Sequence, residues 1–419
     1  TRPLLFDLDG AGRHIVSVIH DLTHREAIMD AHKILTNGEV RGEIENRYGR
    51  ETYQQIVPWL QSIAHDAYKA DGLQAVDRML RGIRSRATIM GMGYRITTMV
   101  TQLAGYMSSL EMVKVKHMAG AIKDFAVAPF ETNEKVNALS ETMRYRSQNM
   151  DRDIREGLRE ISGEHGKLQA VRKFAFTGIG IMDRVVTVPT WMAAYRQHLE
   201  TMPGDTDGAK AFADRVINLS QGSGGPKDLA AVTRSNEKVK LLTMFYSYFS
   251  AYYNRQRNWG RDAKRMIESG EYQDLPDLLA RQLFMTVGPA VLSRLLVGDG
   301  PDDDEGYAAW ALKRVALYPT SSIPIIRDAF GVFDKGFSYT FTPAARTIDE
   351  TLVQPWLLLG DIIDGTAEPR KAVKQTIETT GYALRLPLGQ AATSIDNLWL
   401  SVEKDGFQLS DLMLTKPKP

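Results

Sequence analysis

Cysteine is absent from this 419-residue chain. Its absence excludes disulfides, thiol nucleophiles, iron–sulfur clusters and thiolate zinc sites, and leaves the redox compartment open. A dominant charge is lacking too. Fifty-two Lys and Arg face 51 Asp and Glu, for a net charge of +1. No global field draws in nucleic acid or acidic lipid, so any such attraction has to be local. Long apolar runs are also missing: the longest uncharged stretches, Ile96 to Leu110 and Leu241 to Asn254, fall short of the ~18–20 apolar residues that span a bilayer. No apolar stretch follows a basic start, so no secretion or transit segment is expected. The missing initiator Met fits either Met removal or the C-terminal portion of a longer protein.

What is present suffices for a core. With 43% hydrophobic, 9% aromatic and 25% charged residues, the chain reads as globular, long enough for two or three domains at ~150 residues each. Its dominant period is helical. Val136, Leu139, Met143, Met150, Ile154, Leu158 and Ile161 fall on one stripe of a long predicted helix, and Val115, Met118, Ile122 and Phe125 form a similar stripe before a joint at Pro129. Thr23-His24-Arg25-Glu26 reads as a capping box opening a helix that ends near Asn37-Gly38. Thr347-Ile348-Asp349-Glu350 looks like another helix start. Strand alternation is confined to Leu4 to Leu8 and Gly336 to Phe341. The expected fold is all-α: an elongated multi-helix bundle with proline- and glycine-broken connections and a short extended N-terminal arm.

Loop punctuation divides the chain. Breaks fall at Pro203 to Gly208, at Gly222 to Pro226, and at Gly298 to Gly306, which carries Asp299, Asp302, Asp303, Asp304 and Glu305. Prolines 319, 324, 343, 355, 369 and 387 cut the last hundred residues into short pieces. The blocks are an N-terminal helical region (1–130), long amphipathic helices (131–204), an aromatic and basic helical region (205–298), and an acidic loop with a proline-broken helical C-terminal region (299–419).

Candidate chemistry is sparse. Leu4-Leu5-Phe6-Asp7-Leu8-Asp9-Gly10 looks like the nucleophile loop of haloacid-dehalogenase-like phosphatases, which would make Asp7 the nucleophile and Asp9 the acid/base of a phosphohydrolase. That chemistry needs a strand, magnesium and a surrounding parallel sheet. Here Ala11 replaces the usual Thr or Val and no βα alternation follows, so the favoured reading is an extended arm with a turn at Asp9-Gly10. His20, His24 and His32 with Asp21 and Glu26 suggest a metal set, but a cap at Thr23 places His20 before the helix, so surface histidines are expected. The acidic loop departs from the EF-hand spacing. Gly222 to Lys227 lacks the phosphate-loop spacing, and Pro226 removes an N–H donor. No catalytic residue, metal or cofactor is expected.

The most unusual stretch runs from Arg234 to Arg265. Basic residues Arg255, Arg257, Arg261, Lys264 and Arg265 follow a run containing Phe245, Tyr246, Tyr248, Phe249, Tyr252 and Tyr253, and Trp259 lies among them. On a helix, 245, 249, 252 and 259 share a face. Three readings stay open: an aromatic helix packed in a core, a membrane-interface element, or a nucleic-acid backbone contact. The expected contact residues for DNA phosphate or anionic lipid are Arg255, Arg257, Arg261, Lys264 and Arg265. The expected interface aromatics are Phe245, Tyr248, Phe249, Tyr252 and Trp259. Leu283 to Val297 and Val315 to Ile326 are apolar and become membrane-seeking once neighbours cover their polar groups.

Several stretches resemble the C-terminal regions of very large tailed-phage internal virion proteins. They are His20-Asp21-Leu22-Thr23-His24-Arg25-Glu26 running on to Arg47-Tyr48-Gly49-Arg50-Glu51-Thr52-Tyr53; Thr101-Gln102-Leu103-Ala104-Gly105-Tyr106; Gln221-Gly222-Ser223 with Pro226-Lys227-Asp228-Leu229 and Leu242 to Phe249; and Ser322-Ile323-Pro324-Ile325-Ile326-Arg327-Asp328. The resemblance implies a mostly helical, non-enzymatic ejection protein held in the virion interior and, after release, in the host cell envelope. Its implied partners are other copies of itself, other phage ejection and portal or tail proteins, double-stranded DNA and the host membrane. A plain helical scaffold is the bland alternative.

Overall fold

A computed structural model describes residues 8–64, 75–146, 152–162, 167–225, 229, 233, 237–244, 246–296, 300–301, 306–319 and 343–403. Every regular element among them is helical, as the 3.6-residue period predicts. The chain divides into two compact units, Thr1–Arg81 with Gly225–Lys240, and Gly82–Gly224 with Leu241–Pro419.

In the first unit, α1 (Leu8–Thr36) ends where expected. The Asn37 side chain accepts from the Glu39 and Val40 amides at 3.0 and 3.4 Å and so caps α2 (Gly38–Tyr48). Next come α3 (Arg50–Gln54) and α4 (Ile56–Ala64). Tyr53 and Leu60 are buried here; the Tyr53 hydroxyl donates to the Leu35 carbonyl at 3.1 Å. The capping box at Thr23 is not formed. Helix α1 already runs through that point, and the Thr23 hydroxyl instead donates back to the Ile19 carbonyl at 2.8 Å. Asp9 and Gly10 are likewise helical, not a turn. Asp7 lies outside the described residues, as do the strand candidates, apart from the helical Leu8. His24 and His32 are exposed, with His24 Nδ1 against the Thr23 hydroxyl at 2.7 Å.

Helix α5 (Ala75–Met92) contributes its residues from Gly82 onward to the second unit. There follow α6 (Ile96–Thr101), α7 (Gly105–Ser109), α8 (Val115–Val127), α9 (Pro129–Leu139), α10 (Glu141–Arg144), α11 (Arg152–Ser162), α12 (Lys167–Ala175), α13 (Thr177–Thr201) and α14 (Thr206–Ser220). The core forms around α13, which packs against α8, α9 and α14. Val188, Trp191, Ala193 and Ala194 of α13 meet Met118 and Ala121 of α8, Val136 of α9, and Ala213, Val216 and Ile217 of α14. The small alanines let helix axes approach closely, and each buried large side chain contributes about 1.5–3 kcal/mol.

The long stripe from Val136 to Ile161 is not one helix. Ser140 leaves helical geometry (φ −133°, ψ 121°), caps α10 by accepting from the Met143 amide at 3.0 Å, and donates to Asp214 at 2.6 Å. Its two ends serve different cores. Val136 and Met143 join the α13 cluster, while Ile154 and Ile161 pack with Ile89, Phe176 and Ile179.

The chain continues through α15 (Glu237–Leu242), α16 (Ser247–Ser269), α17 (Leu275–Gln282), a π-helical turn at Leu283–Val287, α18 (Gly288–Leu296) and α19 (Tyr307–Leu317). After residue 342 come α20 (Pro343–Ile348), a second π-turn at Asp349–Val353, α21 (Gln354–Ile363), α22 (Pro369–Leu384) and α23 (Gly389–Glu403). Thr347 therefore sits inside a continuing helical path rather than opening one. Prolines 343 and 369 occupy first helical turns, where a missing N–H costs little, and Pro355 lies just past the π-turn. Of the acidic loop, only Gly300, Pro301 and Gly306 fall within the described residues. No helix among the described residues is long and apolar enough to cross a membrane.

Candidate functional site

Helix α16 carries most of the expected contact residues, and its two faces differ. Tyr252, Arg255 and Trp259 recur at helical spacing and turn inward. The Tyr252 hydroxyl meets Thr286 Oγ1 at 3.1 Å, Gln256 Nε2 donates to both, and Trp259 Nε1 donates to the Leu278 carbonyl at 2.8 Å. Tyr252 is fully buried, with its ring edge-on to Tyr318 at 5.1 Å. These are packing roles. Phe245 lies outside the described residues, and the backbones of Tyr248 and Phe249 fall in the first turn of α16.

Arg255 does not belong to the exposed basic group. It is 3% exposed, and its Nη1 donates to the Ser108 carbonyl at 3.2 Å and to Glu111 Oε2 at 2.9 Å. Its spacing from Tyr252 and Trp259 puts it on the aromatic face, which is the sequence signal that separates it from its neighbours. Arg257, Arg261, Lys264 and Arg265 are exposed. Lys264 and Arg265 have only long pairs, to Glu268 at 3.6 Å and Asp262 at 3.9 Å, and such surface pairs are weak. Arg257 and Arg261, one turn apart, have no ion-pair partner among the described residues; Arg261 contacts Asn258. This face can neutralise phosphate oxygens presented along a backbone or a headgroup layer.

A second polar centre, buried within the α13 core, was not visible in the sequence. The Arg146 guanidinium grips Asp183 with Nε at 3.2 Å and Nη2 at 3.0 Å, and donates to the Gly222 carbonyl at 2.6 Å. Gln221 Nε2 reaches the Gly105 carbonyl and Ser109 Oγ, both at 2.8 Å. A Cβ on Gly105 would strike the Gln221 side-chain amide, so a larger residue there displaces these two bonds. Two stretches singled out in the sequence, Thr101 to Tyr106 and Gln221 to Ser223, thus meet in space. Their donors and acceptors are spent on holding helix joints together. Arg184, beside this pair, is held below its ordinary value by burial, offset by the Asp183 charge.

Of the apolar stretches expected to seek membrane, Leu283 to Leu296 forms a π-turn and helix with Met285 and Ala290 buried and Leu283 and Leu295 exposed. Val315 to Ile326 lies outside the described residues beyond Pro319. No protein-family model matches the chain, and no curated protein or solved structure matches it.

Proposed function

We propose that the chain is a structural internal virion protein of a tailed phage, released with the genome and helping to form a conduit for DNA across the host envelope. The observation that carries this reading is the exposed Arg257 and Arg261 on α16, which have no ion-pair partner among the described residues and are flanked by Lys264 and Arg265. On a chain of net charge +1, a local basic face is the means left for attracting phosphate. The all-helical architecture and the resemblance of its sequence stretches support the assignment to ejection proteins. Copies of the same chain, portal and tail proteins, DNA and the host membrane are the proposed partners, with the virion interior and then the host envelope as locations. A closed ring of copies supplies the DNA-wide channel that a single chain of this size does not enclose.

Binding of the purified chain to a DNA duplex and to vesicles of anionic lipid at low salt tests the proposal. The wild type is expected to bind both and to release dye from the vesicles. Combined Arg257→Glu and Arg261→Glu substitution is expected to weaken association. The logarithm of affinity for DNA should fall with that of salt by about 0.9 per phosphate contacted. A wild type that ignores both at low salt overturns the reading and leaves this face as a solvated helix surface.

A further inference from the structure

The C-terminal helices hold a buried carboxyl pair that none of the preceding roles uses. Glu350, in the π-turn between α20 and α21, and Glu378, on α22, are 8% and 6% exposed. The Glu378 charge acts on the Glu350 carboxyl across this buried space. Arg346 of α20 reaches both, at 3.6 Å from Glu350 and 3.3 Å from Glu378. Gln375 Nε2 donates to Glu350 Oε2 at 2.7 Å, and the Thr379 hydroxyl donates to the Glu350 carbonyl at 3.0 Å. Tyr382 of α22 and Arg95, from the joint between α5 and α6, complete the charged surroundings. Asp349 is turned away to Gln354 at 3.0 Å, and Asp361, the one acid of α21, is exposed.

The same Arg95 joint is where these helices dock. The Ile96 amide donates to Gln390 Oε1 at 3.0 Å and Arg95 Nη2 to Thr393 at 3.4 Å. A Cβ on Gly93 would lie 2.7 Å from the Pro387 Cβ. Tyr94 (φ 52°) and Arg385 (φ 54°) both adopt the left-handed region there. Arg172 donates to the Leu384 and Arg385 carbonyls at 2.8 and 3.1 Å. Strained backbone of this kind persists only where the surroundings over-determine it.

We propose that the Glu350–Glu378 pair, gathered on Arg346, is a proton-held clasp: one proton on the pair keeps α20, its π-turn and α22 closed, and loss of that proton loosens them. Two carboxylates buried side by side repel each other when both ionise, and Arg346 is the only cation within ion-pair distance of both among the described residues. Burial, reinforced by Glu378, raises the Glu350 carboxyl above its ordinary 4.5. A folded value above the unfolded one gives stability that is complete below the unfolded value and lost as pH rises through the folded value. The clasp therefore opens on the alkaline side. It stands whether or not the chain is a virion component.

Hydrogen exchange of the full chain from about pH 5 to 9, corrected for intrinsic rates, tests this. Protection of amides in α20–α22 should fall about tenfold per pH unit within the window, the slope of one linked proton, while α13 amides show no such slope. Glu350→Gln should flatten the dependence by keeping a neutral partner for Glu378. A flat wild-type profile, or a slope surviving in a folded Glu350→Gln protein, overturns the clasp. Should that variant not fold, carbon-13 titration of the wild-type carboxyls decides. One glutamate titrating well above 4.5 supports the clasp, and both titrating at or below that value refutes it.

Discussion

The Tyr106 hydroxyl donates to the Val185 carbonyl, the acceptor four residues before Pro189 within α13. Proline has no N–H to offer that carbonyl, so the core helix would otherwise carry an orphaned acceptor. Burial pushes the Tyr106 hydroxyl up to about 12, which keeps the donor protonated under ordinary conditions. A tyrosine from a distant short helix thus repairs the proline break in the central one.

Tyr106→Phe is accordingly expected to lower stability by about 1–3 kcal/mol, the cost of a buried acceptor left unsatisfied. In a Pro189→Ala background the restored amide can serve Val185, and the same change should then cost much less. Denaturant melts of the four proteins measure the coupling. Additive effects would show that the two residues do not share this acceptor.

Arg146→Met should be severe, about 3–5 kcal/mol, because buried Asp183 loses the guanidinium that hydrogen-bonds both of its carboxylate oxygens. Replacing both, by Arg146→Met with Asp183→Leu, should recover part of the loss even though the Gly222 carbonyl still lacks its donor. Equal losses in the single and double variants would mean that the ion pair is not what holds this joint.

Acid should loosen the hinge between α13 and α14. Asp205 caps α14 through the Gly208 amide at 2.9 Å and meets His198 at 2.9 Å. The His198 bond, then the Gly208 bond, hold its carboxyl below the ordinary 3.8. A depressed folded value contributes stability that is present above the unfolded value and lost as pH falls through the folded one. Asp205→Asn should lower the melting temperature near neutrality and weaken its dependence on pH at the acidic end. An unchanged acid profile in that variant would remove Asp205 from the account.

Arg255 and Arg257 should separate fold from binding. Arg255→Gln leaves Glu111 short of its closest cation and is expected to lower the melting temperature. Arg257→Gln should leave that temperature alone and reduce the salt dependence of DNA association. The reverse pattern would contradict the placement of the two faces of α16.

The all-helical class was legible because apolar residues recur at helical spacing throughout. Joints were less so. The stripe from Val136 to Ile161 keeps its period across Ser140, and periodicity alone cannot register a side chain that leaves the helix to cap the next. Thr23 satisfies the capping pattern with Glu26, yet an upstream helix had already supplied partners for those amides. The exposed part of the basic cluster is readable from charge; charge alone does not separate Arg255 from it, whereas its spacing from Tyr252 does. Pairs such as Arg146–Asp183, Tyr106–Val185 and Glu350–Glu378 left no one-dimensional mark, since each joins residues brought together only by packing.

The central claim, that this is a virion component ejected with DNA, is tested most directly by quantifying the chain in purified phage particles before and after genome release. The account predicts that full particles contain it in several copies and that emptied particles have lost it. Its absence from full particles, or its retention at the same copy number in emptied ones, would contradict the claim.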